Sequence, residues 1–461
     1  MAQVDAHLIG VGGIGMSALA KILAQRGLTV TGSDTSQSPL LDELTELGVT
    51  VYASHHTDHV AQCKQVIYSS AIHPSNPELL AAKKHRIPIV HRAEALAKIM
   101  TADTNIAICG THGKTTTSSL ISSVFIEAAL EPTIVIGGQI IGNNLHAQSG
   151  KQTYAIVEAD ESDQSFIHLS PDVAVITNID DDHLENHDHS FDQLIQSFEK
   201  FLTKLSPNGI IIANIDCPTT QTVIQHVKQR TITFSLIDPA ADYFGIKKNN
   251  TLTIMKKQTT LAKISHQLAG LHNAYNLLAA SVTALEHRID INTINTALAN
   301  FRGVKRRFET YQNDGKGPII IDDYGHHPTE IDLTIAATKE MWPSKRIIHI
   351  FQPHRLSRTL RLLDAFSKTL SHSDHILVTD IYAASESETN YPIHSTDLVS
   401  KIKTLHKHPS CFYCQNKTVL FDRIQSIANQ DTVVIFQGAG DISTLCQDYI
   451  KHFSTQGITS L

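Results

Sequence analysis

One pattern recurs along the chain and limits what it can fold into: a short apolar run, a turn with glycine or aspartate, and a segment of helical periodicity. Residues 7–9 lead into such a turn and the helical stretch 16–26, and residues 105–109 lead into another, with a helix to about residue 129. Further apolar runs occur at 154–158, 173–177, 319–322, 346–351, 376–379 and 433–437. Units of this kind build parallel sheets covered by helices. The sequence therefore predicts an α/β fold.

Distinct turn chemistry at residues 10, 110 and 322 divides the 461-residue chain into parts. We place the boundaries near residues 102 and 308, which predicts domains at 1–102, 103–308 and 309–461. Each part is long enough to bury a hydrophobic core of its own.

The charge balance excludes one large class of partner. The chain carries 38 lysine and arginine residues against 45 aspartate and glutamate residues, a formal net charge of −7, so a basic face for nucleic acid is not expected.

No apolar stretch reaches the roughly 18 residues of a membrane span, and the N-terminus lacks the features of a signal peptide. The six scattered cysteines fit a reducing compartment. We expect a cytoplasmic protein that binds neither nucleic acid nor membranes, as a monomer or a homodimer.

The first turn is rich in glycine. Gly10, Gly12 and Gly15 fit the pattern G-x-G-x-x-G after a strand, and Asp34 follows about 20 residues later. Such glycines let backbone N–H groups approach a diphosphate at a helix N-terminus, and the acid can bind a ribose hydroxyl. The pattern fits NAD(P), another nucleotide diphosphate such as a UDP-sugar, or a tight turn that binds nothing.

The second turn indicates a nucleoside triphosphate. Between a strand and a helix, residues 110–115 read Gly-Thr-His-Gly-Lys-Thr. The loop amides and Lys114 suit phosphates, and the hydroxyl of Thr115 suits Mg²⁺. The loop is a shortened variant of the standard phosphate-binding loop, because Ile108 stands where that loop has a glycine.

Polar side chains follow the next two strands. Glu158 ends one strand, and His183 lies in the acidic segment after the other. Ligands gather at the carboxyl ends of parallel strands, so we expect both to face the phosphate loop. Oxygen atoms of Thr115 and Glu158 suit Mg²⁺, for which histidine is a less usual ligand.

Further candidates lie downstream. Asparagine side chains near residue 273 offer the donor and acceptor that an adenine edge needs, although they also suit helix caps. The basic cluster 301–308 is either a solvated hinge or a source of positive charge for a nucleotide. Two arginines three residues apart, Arg355 and Arg358, can bind a carboxylate. The clusters after the later strands also have a plainer interpretation as loop residues.

Together these stretches resemble the Mur ligase family along nearly the whole chain. The resemblance is carried by residues 10–17, 69–72, 76–78, 110–116, 158–163, 177–183, 272–273, 306–308, 322–330, 351–359, 380–384 and 438–441. The stretches DDYGHHP at 322–328 and FQPHR at 351–355 point to the branch of the family that adds L-alanine.

The resemblance implies three domains: an N-terminal Rossmann-like domain for a UDP-sugar, a central P-loop-type ATPase domain with a mainly parallel sheet, and a C-terminal Rossmann-like domain for an amino acid. It implies that ATP and Mg²⁺ are used to join L-alanine to the lactyl carboxylate of UDP-N-acetylmuramate through an acyl phosphate. ADP and phosphate are released in this cytoplasmic step of peptidoglycan synthesis.

The resemblance also implies roles for single residues. Lys114 contacts the γ-phosphate, Thr115 and Glu158 hold one Mg²⁺, and His183 helps to place a second; the base for the amine is His183 or His326. The ATP-binding set is Gly110, Thr111, His112, Gly113, Lys114, Thr115, Thr116, His272, Asn273, Asn276 and Arg306. The UDP-sugar set is Gly12, Gly13, Ile14, Gly15, Asp34, Ser69, Ser70 and Arg92. The amino-acid set is Tyr324, His326, Arg355 and Arg358.

Other functions remain as alternatives. A murein-peptide recycling ligase joins the same sugar to a tripeptide and shares the ATP site. An NAD(P)-dependent dehydrogenase accounts for residues 10–34 but leaves the Gly-Lys-Thr loop without a role. A nucleotide-binding regulator without catalysis is the third alternative.

Overall fold

A computed structural model describes residues 3–182, 184–187, 190–312, 317–384, 386–408, 410–454 and 459–460. The chain forms two compact units. The first comprises Met1–Gln267 and Ala274–Arg302, and the second comprises Leu268–Asn273 and Gly303–Leu461. The predicted boundaries near residues 102 and 308 stay predictions.

The first unit begins with a five-stranded parallel sheet in the order β3-β2-β1-β4-β5. Apolar side chains of β1 and of the first helix, among them Leu8, Leu19 and Ile22, are fully or almost fully buried. The strands are β1 Ala6–Ile9, β2 Val30–Ser33, β3 Thr50–Tyr52, β4 Val66–Tyr68 and β5 Ile89–His91; the helices are α1 Ile14–Gln25, α2 Pro39–Glu46, α3 Pro77–Lys84 and α4 Arg92–Ile99, with a 3₁₀ turn at Thr57–Val60.

The first unit continues with a ten-stranded sheet in the order β15-β14-β13-β12-β11-β10-β6-β9-β7-β8. It is parallel from β13 to β7. Its strands are β6 Thr104–Cys109, β7 Thr133–Val135, β8 Ala147–Gln148, β9 Tyr154–Glu158, β10 Val173–Ile176, β11 Ile210–Asn214, β12 Arg230–Ser235, β13 Tyr243–Lys248, β14 Thr251–Lys256 and β15 Thr259–Ser265. Its helices are α5 Lys114–Glu127, α6 Phe191–Leu202, α7 Pro218–Gln225, α8 Leu271–Glu286, whose first turn belongs to the second unit, and α9 Ile291–Asn300; 3₁₀ turns lie at Ser165–His168 and Leu184–Asn186.

The second unit contains a seven-stranded sheet in the order β20-β19-β18-β21-β17-β16-β22. It is parallel from β20 to β17, whereas β16 and β22 pair in the antiparallel sense. The strands are β16 Glu309–Gln312, β17 Ile319–Asp323, β18 Arg346–Phe351, β19 His375–Val378, β20 Cys411–Tyr413, β21 Thr432–Gln437 and β22 Thr459–Ser460; the helices are α10 Pro328–Met341, α11 Leu356–Arg361, α12 Leu363–Leu370, α13 Ser395–Leu405, α14 Lys417–Ile427 and α15 Ile442–Ser454.

The predicted α/β fold with mainly parallel sheets is confirmed. Each apolar run singled out in the sequence forms a strand, and the strands at 154–158 and 346–351 have the predicted bounds. Within the described part of the chain, no helix combines the length and the apolar character needed to cross a bilayer.

Candidate active site

The phosphate loop lies between β6 and α5, and its two glycines are held in conformations that other residues rarely adopt. Gly110 has φ 130° and Gly113, the residue before α5, has φ 81°. A Cβ at Gly110 would lie 2.2 Å from Oγ1 of Thr177, and one at Gly113 would lie 2.5 Å from Oδ1 of Asn276. The loop is therefore closely packed and requires glycine at both positions.

The loop is fixed to the segment that follows β10. Thr111 N donates to the carbonyl oxygen of Asn178 (3.0 Å), and His112 N donates to Oδ1 of the same residue (2.9 Å). The amide of Asp180 donates to Oγ1 of Thr111 (2.9 Å). The sequence predicts that Glu158, at the end of β9, and His183, after β10, face this loop. His183 lies outside the described residues.

The side chain of Lys114 turns into the loop. Its ammonium donates to the carbonyl oxygens of Gly110 (2.6 Å) and Thr111 (3.1 Å) and lies 2.9 Å and 2.8 Å from the two carboxylate oxygens of Glu161. Burial alone would lower the pKa of Lys114, but the nearby carboxylates, Glu161 first, outweigh it and raise the pKa above its usual value. The lysine is thus a fixed positive charge.

Thr115 and Glu158 meet on the other side of the loop. The Thr115 hydroxyl donates to Oε1 of Glu158 at 3.0 Å, and Gly137 N donates to Oε2 at 2.8 Å. A Cβ at Gly137 would lie 2.8 Å from this carboxylate, so the backbone there closes over it. A hydroxyl and a carboxylate in contact are the oxygen donors that Mg²⁺ prefers. The residues present therefore fit the metal that the sequence implies.

The asparagine on α8 reaches the same loop. Oγ1 of Thr117 donates to Oδ1 of Asn276 at 3.1 Å, one turn into α5. Thr116 lies beside it on α5. His272 and Asn273 belong to the second unit, where the Asn273 side chain donates to the carbonyl oxygen of Ala269 at 2.7 Å.

The glycine-rich first turn contacts its own acidic residue. Gly12 N donates to Oδ2 of Asp34 at 2.9 Å, so the carboxylate lies against the turn, as a ribose-binding acid would. Gly13 precedes α1, which begins at Ile14, and a Cβ at Gly15 would lie 3.4 Å from the side chain of Arg92.

Two residues of the UDP-sugar set contact the loop after β9. Ser70 donates to Oδ2 of Asp163 at 3.0 Å, and a guanidinium nitrogen of Arg92 lies 3.5 Å from the same oxygen. The carbonyl oxygen of Ser69 accepts from Ile72 N at 3.0 Å. The structure thus brings residues of the predicted sugar site to the strand end that carries Glu158.

The second unit holds the predicted amino-acid set at the carboxyl ends of β17 and β18, beside Arg306 of the predicted ATP-binding set. The guanidinium of Arg306 lies over the ring of Tyr324 (4.9 Å) and donates to the carbonyl oxygen of Gly438 (2.9 Å). The ring of His326 packs against Tyr324, with centroids 5.5 Å apart. Arg355 has φ 67°, a rare and costly conformation for an arginine, immediately before α11. Arg358 on α11 is almost fully buried.

A further histidine, His354, to which the sequence patterns assigned no role, belongs to this group. His354 lies 5.9 Å from the ring of His326 and stacks on Tyr382, with centroids 5.5 Å apart. Burial, helped by Arg358 and Arg355, lowers its pKa to about 4, so the imidazole is neutral at pH 7. Its position inside the FQPHR stretch was the available signal.

Comparisons with known proteins agree with this arrangement. Three family models match: "Mur ligase family, catalytic domain" at residues 5–104, "Mur ligase middle domain" at 108–284 and "Mur ligase, glutamate ligase domain" at 306–440. The chain is 37% identical over 454 residues to the UDP-N-acetylmuramate–L-alanine ligase of Aquifex aeolicus, covering 98% of each protein.

Solved structures of Mur ligases have a similar fold. The UDP-N-acetylmuramate–alanine ligase of Thermotoga maritima superposes with a TM-score of 0.82 at 26% identity, over 98% of this chain and 99% of that one. A murein peptide ligase of Psychrobacter arcticus shares the fold, with a TM-score of 0.75 at 22% identity over 99% and 100% of the two chains. Matched by all three domain models and by a relative over nearly its full length, the chain belongs to the Mur ligase family.

Proposed function

We propose that the chain joins L-alanine to the lactyl carboxylate of UDP-N-acetylmuramate and cleaves ATP to ADP and phosphate in the same reaction. The observation that carries the proposal is the phosphate loop with its buried Lys114 and the Thr115–Glu158 contact beside it. The Aquifex aeolicus relative, which is 37% identical and is named UDP-N-acetylmuramate–L-alanine ligase, supports the choice of substrates.

The first step activates a poor acylating group. A carboxylate oxygen of the sugar attacks the γ-phosphorus, the bond to the β,γ-bridging oxygen breaks, and ADP leaves, which yields an acyl phosphate. Such a transfer needs alignment and charge neutralisation more than covalent help from the protein. Lys114 supplies a fixed positive charge for the transferred group. Mg²⁺, held by Thr115 and Glu158, would neutralise further phosphate charge.

The second step forms the amide bond. The amine of alanine attacks the acyl carbon, phosphate leaves, and the amine loses a proton. Because an α-amino group titrates near pH ~8, a neutral base helps at neutral pH. His183 and His326 are the candidates, and Arg355 and Arg358 would hold the alanine carboxylate.

The test is an assay of ADP release by the purified chain with ATP, Mg²⁺, UDP-N-acetylmuramate and a panel of amino acids, with the murein tripeptide as a separate arm. We expect release to require both the sugar and L-alanine. Release with the tripeptide and not with L-alanine would instead identify the recycling ligase. Release with neither would refute ligase function. We propose that the reaction takes place in the cytoplasm, where ATP is available.

A further inference from the structure

We propose that Glu161 is a positioning residue that holds the ammonium of Lys114 in the direction of the γ-phosphate. The inference rests on the proposed function, since it concerns the same ATP site. Glu161 lies three residues beyond Glu158, in the segment from the last residue of β9 to Ser165, which we call the acidic loop (residues 158–165).

The contact between the two side chains is close and buried. Both carboxylate oxygens of Glu161 lie within 2.9 Å of Nζ of Lys114. The glutamate side chain is 0% exposed and the lysine side chain 10%. In such surroundings a hydrogen bond between charged groups is short, strong and directional.

The donors of the ammonium indicate which contact persists when a phosphate binds. An ammonium has three N–H groups, and here they are shared by the carbonyl oxygens of Gly110 and Thr111 and by Glu161. A phosphate oxygen must take over one of them. All three bonds have a charged donor, but Glu161 adds the attraction of a full negative charge, whereas a loop carbonyl offers only a dipole. The bond to a loop carbonyl is therefore exchanged, and Glu161 keeps its bond and fixes the lysine.

Glu161 is itself anchored from a second strand end. Its carbonyl oxygen lies 3.0 Å from Nε2 of the buried His187, and the Asn186 side chain donates to the carbonyl oxygen of Ser162 at 2.8 Å. The turn after β10 thus fixes the backbone of the acidic loop at Glu161, the partner of Lys114. Two other carboxylates, Asp160 and Glu158, also act on the Lys114 charge from this loop.

The experiment measures how strongly the full-length protein prefers a triphosphate to a diphosphate. Calorimetry with Mg²⁺ gives the dissociation constants of ADP and of a non-hydrolysable β,γ-methylene ATP analogue. For Glu161→Gln we expect the preference for the analogue to fall about tenfold, as expected on loss of a hydrogen bond to a charged group, with ADP affinity unchanged. Because the ratio of two constants is independent of the folded fraction, a merely structural role would leave it unchanged.

Two further variants complete the design. Glu161→Asp keeps the charge on a shorter side chain, so we expect an intermediate preference, and it replaces the glutamine variant if that one does not fold. The matched control is Glu286→Gln, which removes a largely buried carboxylate (10% exposed) that pairs with Arg230 and Lys256 away from the loop. The control should keep the wild-type ratio.

An unchanged or increased preference in Glu161→Gln would overturn the inference, because Glu161 would then be neutral or a competitor of the phosphate. A wild-type protein that shows the triphosphate preference but no L-alanine-dependent ADP release would refute the proposed function alone. The two failures are therefore distinguishable.

Discussion

The hydroxyl of Ser70 donates a 3.0 Å hydrogen bond to Oδ2 of Asp163, and this bond joins the five-stranded sheet of the first unit to the acidic loop of its ten-stranded sheet. Arg92 adds a contact of 3.5 Å to the same oxygen and one of 3.4 Å to Oγ of Ser165. Three of the four carboxylates of the acidic loop thus have different partners: Glu158 contacts Thr115, Glu161 contacts Lys114, and Asp163 contacts Ser70 and Arg92.

Asp163→Asn should weaken binding of the UDP-sugar and leave ATP binding unchanged. The asparagine keeps the size but loses the charge that orients Arg92. Because these side chains are partly exposed, the expected effect is about 1 kcal/mol, a roughly fivefold higher KM for UDP-N-acetylmuramate. Steady-state kinetics with each substrate varied in turn checks this. Equal changes in both KM values would contradict it, and Glu131→Gln, whose surface pair with Lys151 is remote from the site, is the control.

Lys114→Met should abolish ligation and also destabilise the protein. Loss of the γ-phosphate contact is expected to lower kcat by about a hundred- to a thousandfold. Removal of the lysine also leaves the buried carboxylate of Glu161 without its counter-charge, at a cost of about 3–5 kcal/mol. Adding Glu161→Gln should restore most of the stability but none of the activity. Urea unfolding and ADP release measure the two effects, and ligation near the wild-type rate in Lys114→Met would show that the lysine has no such role.

Glu158→Gln should raise the Mg²⁺ requirement. The amide keeps an oxygen near Thr115 and Gly137 but removes the negative charge that a hard cation needs. We expect the Mg²⁺ concentration for half-maximal ADP release to increase by about tenfold or more. The Glu286→Gln variant should keep the wild-type Mg²⁺ dependence. If both variants titrate alike with Mg²⁺, the metal lies elsewhere.

The strands, the glycine-rich turns and the nearness of Glu158 to the phosphate loop could be predicted from the sequence, because they follow from local patterns and from the rule that parallel strands end at one edge. The contacts of Glu161, Asp163 and His187 could not. They depend on how β9 and β10 are aligned with their neighbouring strands. They also depend on which loops of the five-stranded and ten-stranded sheets come into contact. The antiparallel strands β13–β15 were also not predicted, although alternate residues of β14 and β15, such as Leu252 and Ile254, are buried and the sequence carries that period-two signal.

A second buried carboxylate in the first unit, that of Glu78, is surrounded by histidines instead of a lysine. Glu78, at the start of α3, is 0% exposed and lies 2.7 Å from Nδ1 of His59, 3.0 Å from Nδ1 of His55 and 3.4 Å from Nε2 of His7. Oγ of Ser33 donates to it at 2.6 Å. Burial alone would raise the pKa of Glu78, but the hydrogen bonds from His7, Ser33 and His59 outweigh it and lower the pKa from 4.5 to about 2.

This lowered pKa predicts how stability depends on pH. A carboxylate that stays ionised in the folded state, while the unfolded chain takes up a proton, stabilises the fold above pH 4.5 and loses that effect as the pH falls toward 2. The difference corresponds to about 3 kcal/mol. We therefore expect the gap in unfolding free energy between the wild type and Glu78→Gln to shrink steadily below pH 5, measured by urea unfolding at closely spaced pH values. The exposed Glu131→Gln variant should show a small gap at every pH. A gap for Glu78→Gln that stays constant from pH 5 to pH 3 would mean that the carboxylate does not remain ionised among these histidines.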